Sequence, residues 1–565
     1  MTEKKSLAQL SLRSRLKEHP RTVTFSAYLA VIVIVMCFHE PWFDEAQSWL
    51  IARDSSFSEL LTLRPHYEGH PPLWTLILSI PAKTGVPYEI GLKSVQFLCA
   101  IVLGSWLIFR APFNRLTLTL LPFTYFFCFQ YGVTSRPYAL LCTTLLMVAY
   151  YWSRTDKKPS DTWKLTFTLI LMCLLSAYGI ALAAGFAIVW VLQTILKAGI
   201  SKSPKALLSL FYDKNRLLGW ILLAIVGVTC LVCICPYPDA FGARITYDGN
   251  SPIMQFLAFF FVLPSESMFT QFAGDVSIRK MPLHFFPSIF AVILSIAIWM
   301  FAIRIARRRK TLIVLTIPYF IFSIIANRYF TLHHVGLIFV FFVAQLWICV
   351  DKKPLDADDV PIIFTKLWKA FTKNKKLDSK KTNSRLIVLV LLPSLVWNTV
   401  ACVSDILFDY SGSRAIAQYV ISKNAQHKLW MTTWLKDKAI YDSDGNLQQA
   451  PGNDTHQYAW QIINANPYFD SNLLSCSYQN RSFITNKRAT DKQIKQEIEN
   501  CAAKGEPDFF IFVIKDPQYY FKKLNYNVKH YNLHVIARVL SAWKAGVGYT
   551  EIKVYERKPL SEINK

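Results

Sequence analysis

The sequence predicts an all-α polytopic membrane domain of about eleven transmembrane helices, followed by a small α/β soluble domain. Three observations predict it. Hydrophobic residues make up 53% of the 565-residue chain and gather, from Thr24 to Cys402, in runs of roughly 15 to 20, near the length that crosses a ~30 Å hydrocarbon core. Lys and Arg collect in alternate connections between those runs. Beyond residue 403 the apolar runs shrink to strand length. A cleaved leader would be one short apolar run, and here the runs recur.

Taken in order, residues 1–23 form a basic cytoplasmic tail carrying Lys4, Lys5, Arg13, Arg15, Lys17 and Arg21. Candidate spans follow at 24–38, 90–109, 116–133, 136–153, 165–178, 180–196, 217–235, 284–303, 311–327, 334–350 and 386–403. They form a transmembrane domain over 24–403, and their odd number sets the two ends of the chain on opposite sides. With the basic amino terminus inside, connections 110–115, 154–164, 197–216, 304–310 and 351–385 are cytoplasmic, and each is rich in Lys or Arg. The opposite loop 39–89 carries Glu40, Asp44, Glu45, Asp54, Glu59, Glu68 and Glu89 against only Arg53, Arg64 and Lys83, so it reads as outside. Two runs, 71–81 and 252–264, read as re-entrant or interfacial segments, because the first is too short to span and prolines bound the second. The stretch 45–63 mixes Trp49, Leu50, Phe57, Leu60 and Leu61 with polar residues. It reads either as a helix lying in the membrane surface or as an ordinary loop helix.

Residues 404–565 form the extracytoplasmic α/β domain. A turn at Ser411–Gly412 opens a helix to Ser422, strands are expected at 429–434, 509–514, 533–540 and 549–555, and a helix at 491–504.

The formal charge of +25 is explained by the cytoplasmic connections, and no nucleic-acid-binding motif accompanies it, so no nucleic-acid partner is expected. Most of the twelve cysteines lie in apolar runs, where Cys is a small hydrophobe. Cys230, Cys233 and Cys235 lack the further ligands and polar surroundings of a metal site. Cys476 and Cys501, the two in the tail, are candidates for a disulfide if the tail faces an oxidising compartment.

The run Pro41-Trp42-Phe43-Asp44-Glu45-Ala46 puts two adjacent carboxylates just past the first span. By position alone they are either hydrated acids at the interface or functional groups. A wider pattern follows: Leu50-Ile51-Ala52-Arg53-Asp54, then Glu68-Gly69-His70-Pro71-Pro72-Leu73-Trp74, and later Ser135-Arg136-Pro137-Tyr138. In this order the motifs resemble the GT-C superfamily of membrane glycosyltransferases, in its protein O-mannosyltransferase-like (glycosyltransferase family 39-like) branch, which includes the bacterial enzymes that add aminoarabinose to lipid A. The resemblance covers roughly residues 24–350. It implies transfer of a sugar, hexosyl or pentosyl, from a polyprenyl-phosphate-linked donor to a glycan, lipid or protein acceptor outside a plasma (inner) membrane.

Transfer to a hydroxyl passes through an oxocarbenium-like state and needs a carboxylate to take the proton; Asp44 is the candidate general base, with Glu45 in a supporting or acceptor-orienting role. The leaving phosphate is already ionised and needs a cation, for which Arg136 is the candidate clamp; a structural ion pair with Asp44 or Glu45 is the alternative. His70 and Tyr138 are candidate substrate contacts. Arg328, His333 and His334 form a second basic cluster, and His333-His334-Val335-Gly336 matches the family's Arg-His-like pair followed by glycine only in part. The donor is a co-substrate, and neither a cofactor nor an essential divalent metal is expected. The alternatives are a multi-pass transporter or lipid-linked-sugar flippase, and a silent scaffold with a partner-binding tail.

Overall fold

The computed structural model describes residues 19–154, 158–197, 213–240, 252–269, 281–328, 330, 332–361, 363–364, 379–431, 433–434, 440–441, 447–449, 457–458, 460–474, 481–487, 490–512, 525–539 and 550–563. The basic residues before His19, Cys476 and residues 365–378 of the 351–385 connection lie outside the described residues.

All eleven predicted spans fall on helix, but they are not eleven membrane-crossing helices. Among the described residues, six are long and apolar enough to cross: Pro20–Phe38, Tyr88–Arg110, Ala177–Lys197, Lys214–Cys233, Ile289–Arg308 and Ile387–Leu407. The count rises to eight if two broken pairs each form one span. One pair, Arg115–Phe123 with Phe126–Val133, bends by 42°; the other, Pro252–Phe261 with Leu263–Phe269, bends by 43°. The remaining predicted spans are shorter. Tyr138–Trp152 and Leu312–Ala326 have 15 residues each, and Pro159–Leu175 and Gly336–Lys352 have 17. Apolar runs of this length serve equally well as core helices, and the thirteen buried residues of Gly336–Lys352 show that use. Hydropathy measures how apolar a run is, and cannot tell lipid from protein as its neighbour.

The chain folds into two compact units. The first comprises residues 1–35, 96–233 and 249–402 and is helical throughout its described residues. Tyr28 on the first helix donates to the Phe127 carbonyl at 3.0 Å, and Gln96 donates to the Tyr131 carbonyl at 2.7 Å, so buried polar side chains meet the backbone of the helix Phe126–Val133. Helices Pro159–Leu175 and Ala177–Lys197 meet at an extended Ser176, and a Cβ on Gly179 would lie 2.0 Å from the Met172 carbonyl oxygen, a contact only glycine allows.

The second unit comprises residues 36–95, 234–248 and 403–565. The 39–89 loop thus belongs with the tail, a grouping that composition does not suggest. Among its described residues, eight strands form its sheets: β1 (Trp430–Met431), β2 (Thr433–Trp434), β3 (Ile440–Tyr441), β4 (Leu447–Gln449), β5 (Gln457–Tyr458), β6 (Phe509–Phe512), β7 (Tyr531–Val539) and β8 (Thr550–Arg557). The main sheet runs β1-β6-β8-β7, with β1 parallel to β6 and the other pairs antiparallel. The strands expected at 509–514, 533–540 and 549–555 are present over their described residues, that at 429–434 is divided between β1 of the main sheet and β2, which pairs with β5, and the helix expected at 491–504 is Asp491–Ala503 with Thr490 and Gln493 closing a capping box. Leu50, Ile51 and Leu60 of the loop share one core with Ile416, Val420, Trp430, Ile462 and Ile511 of the tail. The stretch 45–63 therefore packs one face in protein. Its Trp49, Leu50 and Leu60 are buried in protein, and Phe57 and Leu61 are the exposed ones. An apolar stripe on a short helix marks a buried face without naming what covers it. The run 71–81 becomes the helix Leu73–Lys83, packed on Phe43–Asp54 within this unit.

Candidate active site

Asp44 and Glu45 occupy the first turn of the helix Phe43–Asp54, where negative charge meets the unpaired N–H groups and positive end of the helix dipole. They differ in surroundings. Glu45 is fully buried and accepts both the Trp42 backbone N–H at 3.0 Å and His39 Nε2 at 3.1 Å. The other ring nitrogen of His39, Nδ1, lies 2.9 Å from Asp405 Oδ2. Burial alone disfavours a charged imidazole, but the flanking Asp405 and Glu45 carboxylates outweigh it and push the His39 pKa up to about 10. At neutral pH His39 is an imidazolium donating to two carboxylates, one in the loop and one 366 residues later. Asp44, one residue before Glu45, is half-buried.

Glu40 completes the frame. Its carboxylate accepts the N–H groups of Ser411, Gly412 and Arg414 at 2.8, 2.6 and 2.7 Å, so a loop residue caps the tail helix Ser413–Ser422. Arg414 donates to the Phe38 and His39 carbonyls and forms a two-point contact with Glu89 at 2.7 and 2.5 Å, which Tyr468 joins through its hydroxyl at 2.6 Å. The hydrogen bonds that Arg414 donates to the Glu89 carboxylate push its pKa further up. Gly412 sits at φ 71°, and a Cβ there would lie 2.3 Å from Ile552 Cδ1. His39, Glu40, Glu89, Arg414 and Asp405 were not picked out from the sequence. Their signal is a charged pair, His39-Glu40, between an apolar run and a proline, together with Asp405 just past the last apolar run.

His70 lies half-buried in the same unit, after Gly69 in the left-handed region and before Pro71-Pro72. Nearby Glu68 accepts from Asn486 at 2.9 Å, and Tyr67 donates to Asp239 at 3.0 Å.

The remaining candidates belong to the first unit. Arg136 lies in a tight turn, its N–H bonded to the Thr134 carbonyl, with its guanidinium 5.8 Å from the centre of the Tyr138 ring. The Tyr138 hydroxyl is 2.7 Å from His334 Nε2, and the Tyr178 hydroxyl is 3.4 Å from His334 Nδ1. The His333 and His334 rings are 3.9 Å apart, and Tyr131 donates to the His333 carbonyl at 3.0 Å. The structure thus gathers Arg136, Tyr138, Tyr178, His333 and His334 from three regions of sequence. Gly336 is needed for that approach, since a Cβ on it would lie 2.2 Å from the Phe126 ring and 2.7 Å from the Tyr131 hydroxyl. His333 and His334 are buried rather than hydrated, whereas Arg328 is exposed beyond the helix Leu312–Ala326.

Cys501 is buried and disulfide-bonded; Cys476, its expected partner, lies outside the described residues. Among the described residues, no group of three or more His, Cys, Asp or Glu side chains is arranged to hold a metal ion. The chain matches no family model and no curated protein.

Proposed function

We propose that this multi-pass membrane protein is a glycosyltransferase that moves a sugar from a polyprenyl-phosphate-linked donor to an acceptor on the outer side of the membrane. The observation that carries the reading is the frame around Asp44. Glu45, His39 and Asp405 are held by one another and by the helix cap, which fixes the first turn and leaves the half-buried Asp44 as the acid whose position they set. The order of the Asp-Glu, His-Pro-Pro and Arg-Pro-Tyr motifs supports the same reading.

In the proposed step the acceptor oxygen attacks the anomeric carbon, the bond from that carbon to the phosphate oxygen breaks, and the polyprenyl phosphate leaves with the electron pair. Asp44 takes the hydroxyl proton. Arg136 is proposed to bind the donor phosphate, with Tyr138 and His334 ordering its surroundings. Glu45 is a positioning residue.

The test supplies the purified chain in lipid nanodiscs with a panel of polyprenyl-phosphate sugars and with glycan, lipid and protein acceptors. Mass spectrometry is expected to find an acceptor heavier by one sugar residue together with free polyprenyl phosphate. A second reading, a lipid-linked-sugar flippase, draws on the two broken helix pairs, since interrupted helices are a transporter device. Donor crossing a vesicle bilayer without covalent transfer would support it and overturn the first.

A further inference from the structure

Within the second unit, the helix Leu73–Lys83 packs on Phe43–Asp54 and buries Trp74, Leu78 and Ala82, whereas Ile80, on the opposite side, is 68% exposed. Phe57, on the helical stretch 57–68, is 60% exposed. Lys83 joins the two. It shares a side with Ile80, three residues earlier, and its ammonium lies 5.5 Å from the centre of the Phe57 ring. That ammonium donates to the Arg53 and Ser55 carbonyls at 3.0 and 2.5 Å, so its charge is held at the rim while its hydrocarbon stem lies along the apolar surface. Phe57 and Ile80 thus belong to one patch, unlike the single exposed hydrophobics common on any surface.

The level of the patch follows from the apolar helix that comes next. Val86 donates to the Pro81 carbonyl at 3.1 Å, and a Cβ on Gly91 would lie 3.1 Å from Pro81 Cβ. Pro81, the neighbour of Ile80, therefore packs on the first turn of Tyr88–Arg110, a helix long and apolar enough to cross a membrane. Ile90, on that same turn, is exposed too. We infer that Phe57 and Ile80 dock into the bilayer leaflet that Tyr88–Arg110 enters, with Lys83 at the level of the headgroups. The occupant is lipid, because the patch continues the exposed apolar side of a membrane-crossing helix at the turn where that helix meets the hydrocarbon. Trp49, on the helix that carries Asp44, meets the same glycine: a Cβ on Gly91 would lie 2.6 Å from its ring. Docking thus holds the Asp44 helix close to the headgroups, where the phosphate of a lipid-borne donor lies; this consequence rests on the transfer proposed above, and the docking does not.

The test uses the full chain in phosphatidylcholine nanodiscs, with the exposed Cys37 and Cys235 replaced by serine. A nitroxide is attached at Phe57→Cys, at Ile80→Cys or, as the aqueous reference, at the exposed Ser422→Cys. Power-saturation electron paramagnetic resonance compares collisions with oxygen, which concentrates in hydrocarbon, and with a water-soluble nickel chelate. At 57 and 80 oxygen is expected to exceed the chelate by about threefold, with the reverse at 422. Ile80→Glu is expected to bring the label at 57 within reach of the chelate, because a charge in the patch opposes insertion. Chelate dominance at 57 or 80, or a label at 57 that Ile80→Glu leaves in hydrocarbon, would overturn the inference. Dipolar broadening relieved by dilution with unlabelled chain would also overturn it, by putting a second copy on the patch. None of these readouts depends on sugar transfer.

Discussion

At the residue scale, the second unit turns on His39. Its folded pKa of about 10 lies above the ordinary imidazole value of 6.5, so its stabilisation is complete below about pH 6.5 and is lost as pH rises through 10. Removing it leaves Glu45 and Asp405 buried and facing each other across a gap. Breaking such a buried arrangement costs about 3–5 kcal/mol. His39→Leu is therefore expected to lower the unfolding temperature at pH 7 and to flatten its decline between pH 7 and 10.5; a variant with the wild-type pH profile would show that the charge on His39 is not what holds Asp405. Arg136→Ala is expected to weaken binding of a polyprenyl-phosphate sugar about tenfold, the scale of one charge-assisted contact. Titration of the donor into nanodiscs reads it, and an unchanged affinity would remove Arg136 from the phosphate site.

At the element scale, the helix Ser413–Ser422 begins where a carboxylate from the loop supplies its cap. Glu40→Ala leaves two buried N–H groups, each worth about 1–3 kcal/mol, and the part-buried Arg414 N–H without that acceptor. Faster hydrogen exchange is expected both at residues 411–416 and in the loop 39–45, whereas change at 411–416 alone would contradict joint folding of the two segments. This pairing explains what could be read from sequence. The strands Tyr531–Val539 and Thr550–Arg557 and the helix Asp491–Ala503 declare themselves by local pattern and a capping box. Asp44 and Glu45 stood out because adjacent acids after an apolar run are unusual. Glu40 and Asp405 did not, because their meaning lies in partners about 370 and 366 residues away, and local sequence carries no trace of such a contact. The gathering of Tyr138 with His334 is of the same kind, whereas the short helices Tyr138–Trp152 and Leu312–Ala326 show the limit of hydropathy, which scores a core helix and a span alike.

At the scale of the whole molecule, the second unit draws its chain from three places, 36–95, 234–248 and 403–565. We propose that this unit lies on one side of the membrane, which requires the chain between these segments to cross an even number of times. Counting the pair Arg115–Val133 as a span and the pair Pro252–Phe269 as re-entrant gives four crossings, then two, and seven with the first helix. With that count, the topology we propose places residues 403–565 opposite the amino terminus and Arg307–Lys310 inside, as the positive-inside rule asks. Ser422→Cys is accordingly expected to react with an impermeant maleimide in intact cells, and Lys310→Cys only after permeabilisation, both in a chain whose Cys37 and Cys235 are replaced; the reverse pattern would invert the topology. The most direct test of the proposed activity is transfer by Asp44→Asn, a change of one atom type at the residue assigned to take the proton. The account predicts a folded protein whose hydrogen exchange around residues 39–54 matches the wild type and whose sugar transfer falls by about 10²–10⁴. Near-normal transfer by that variant would contradict it.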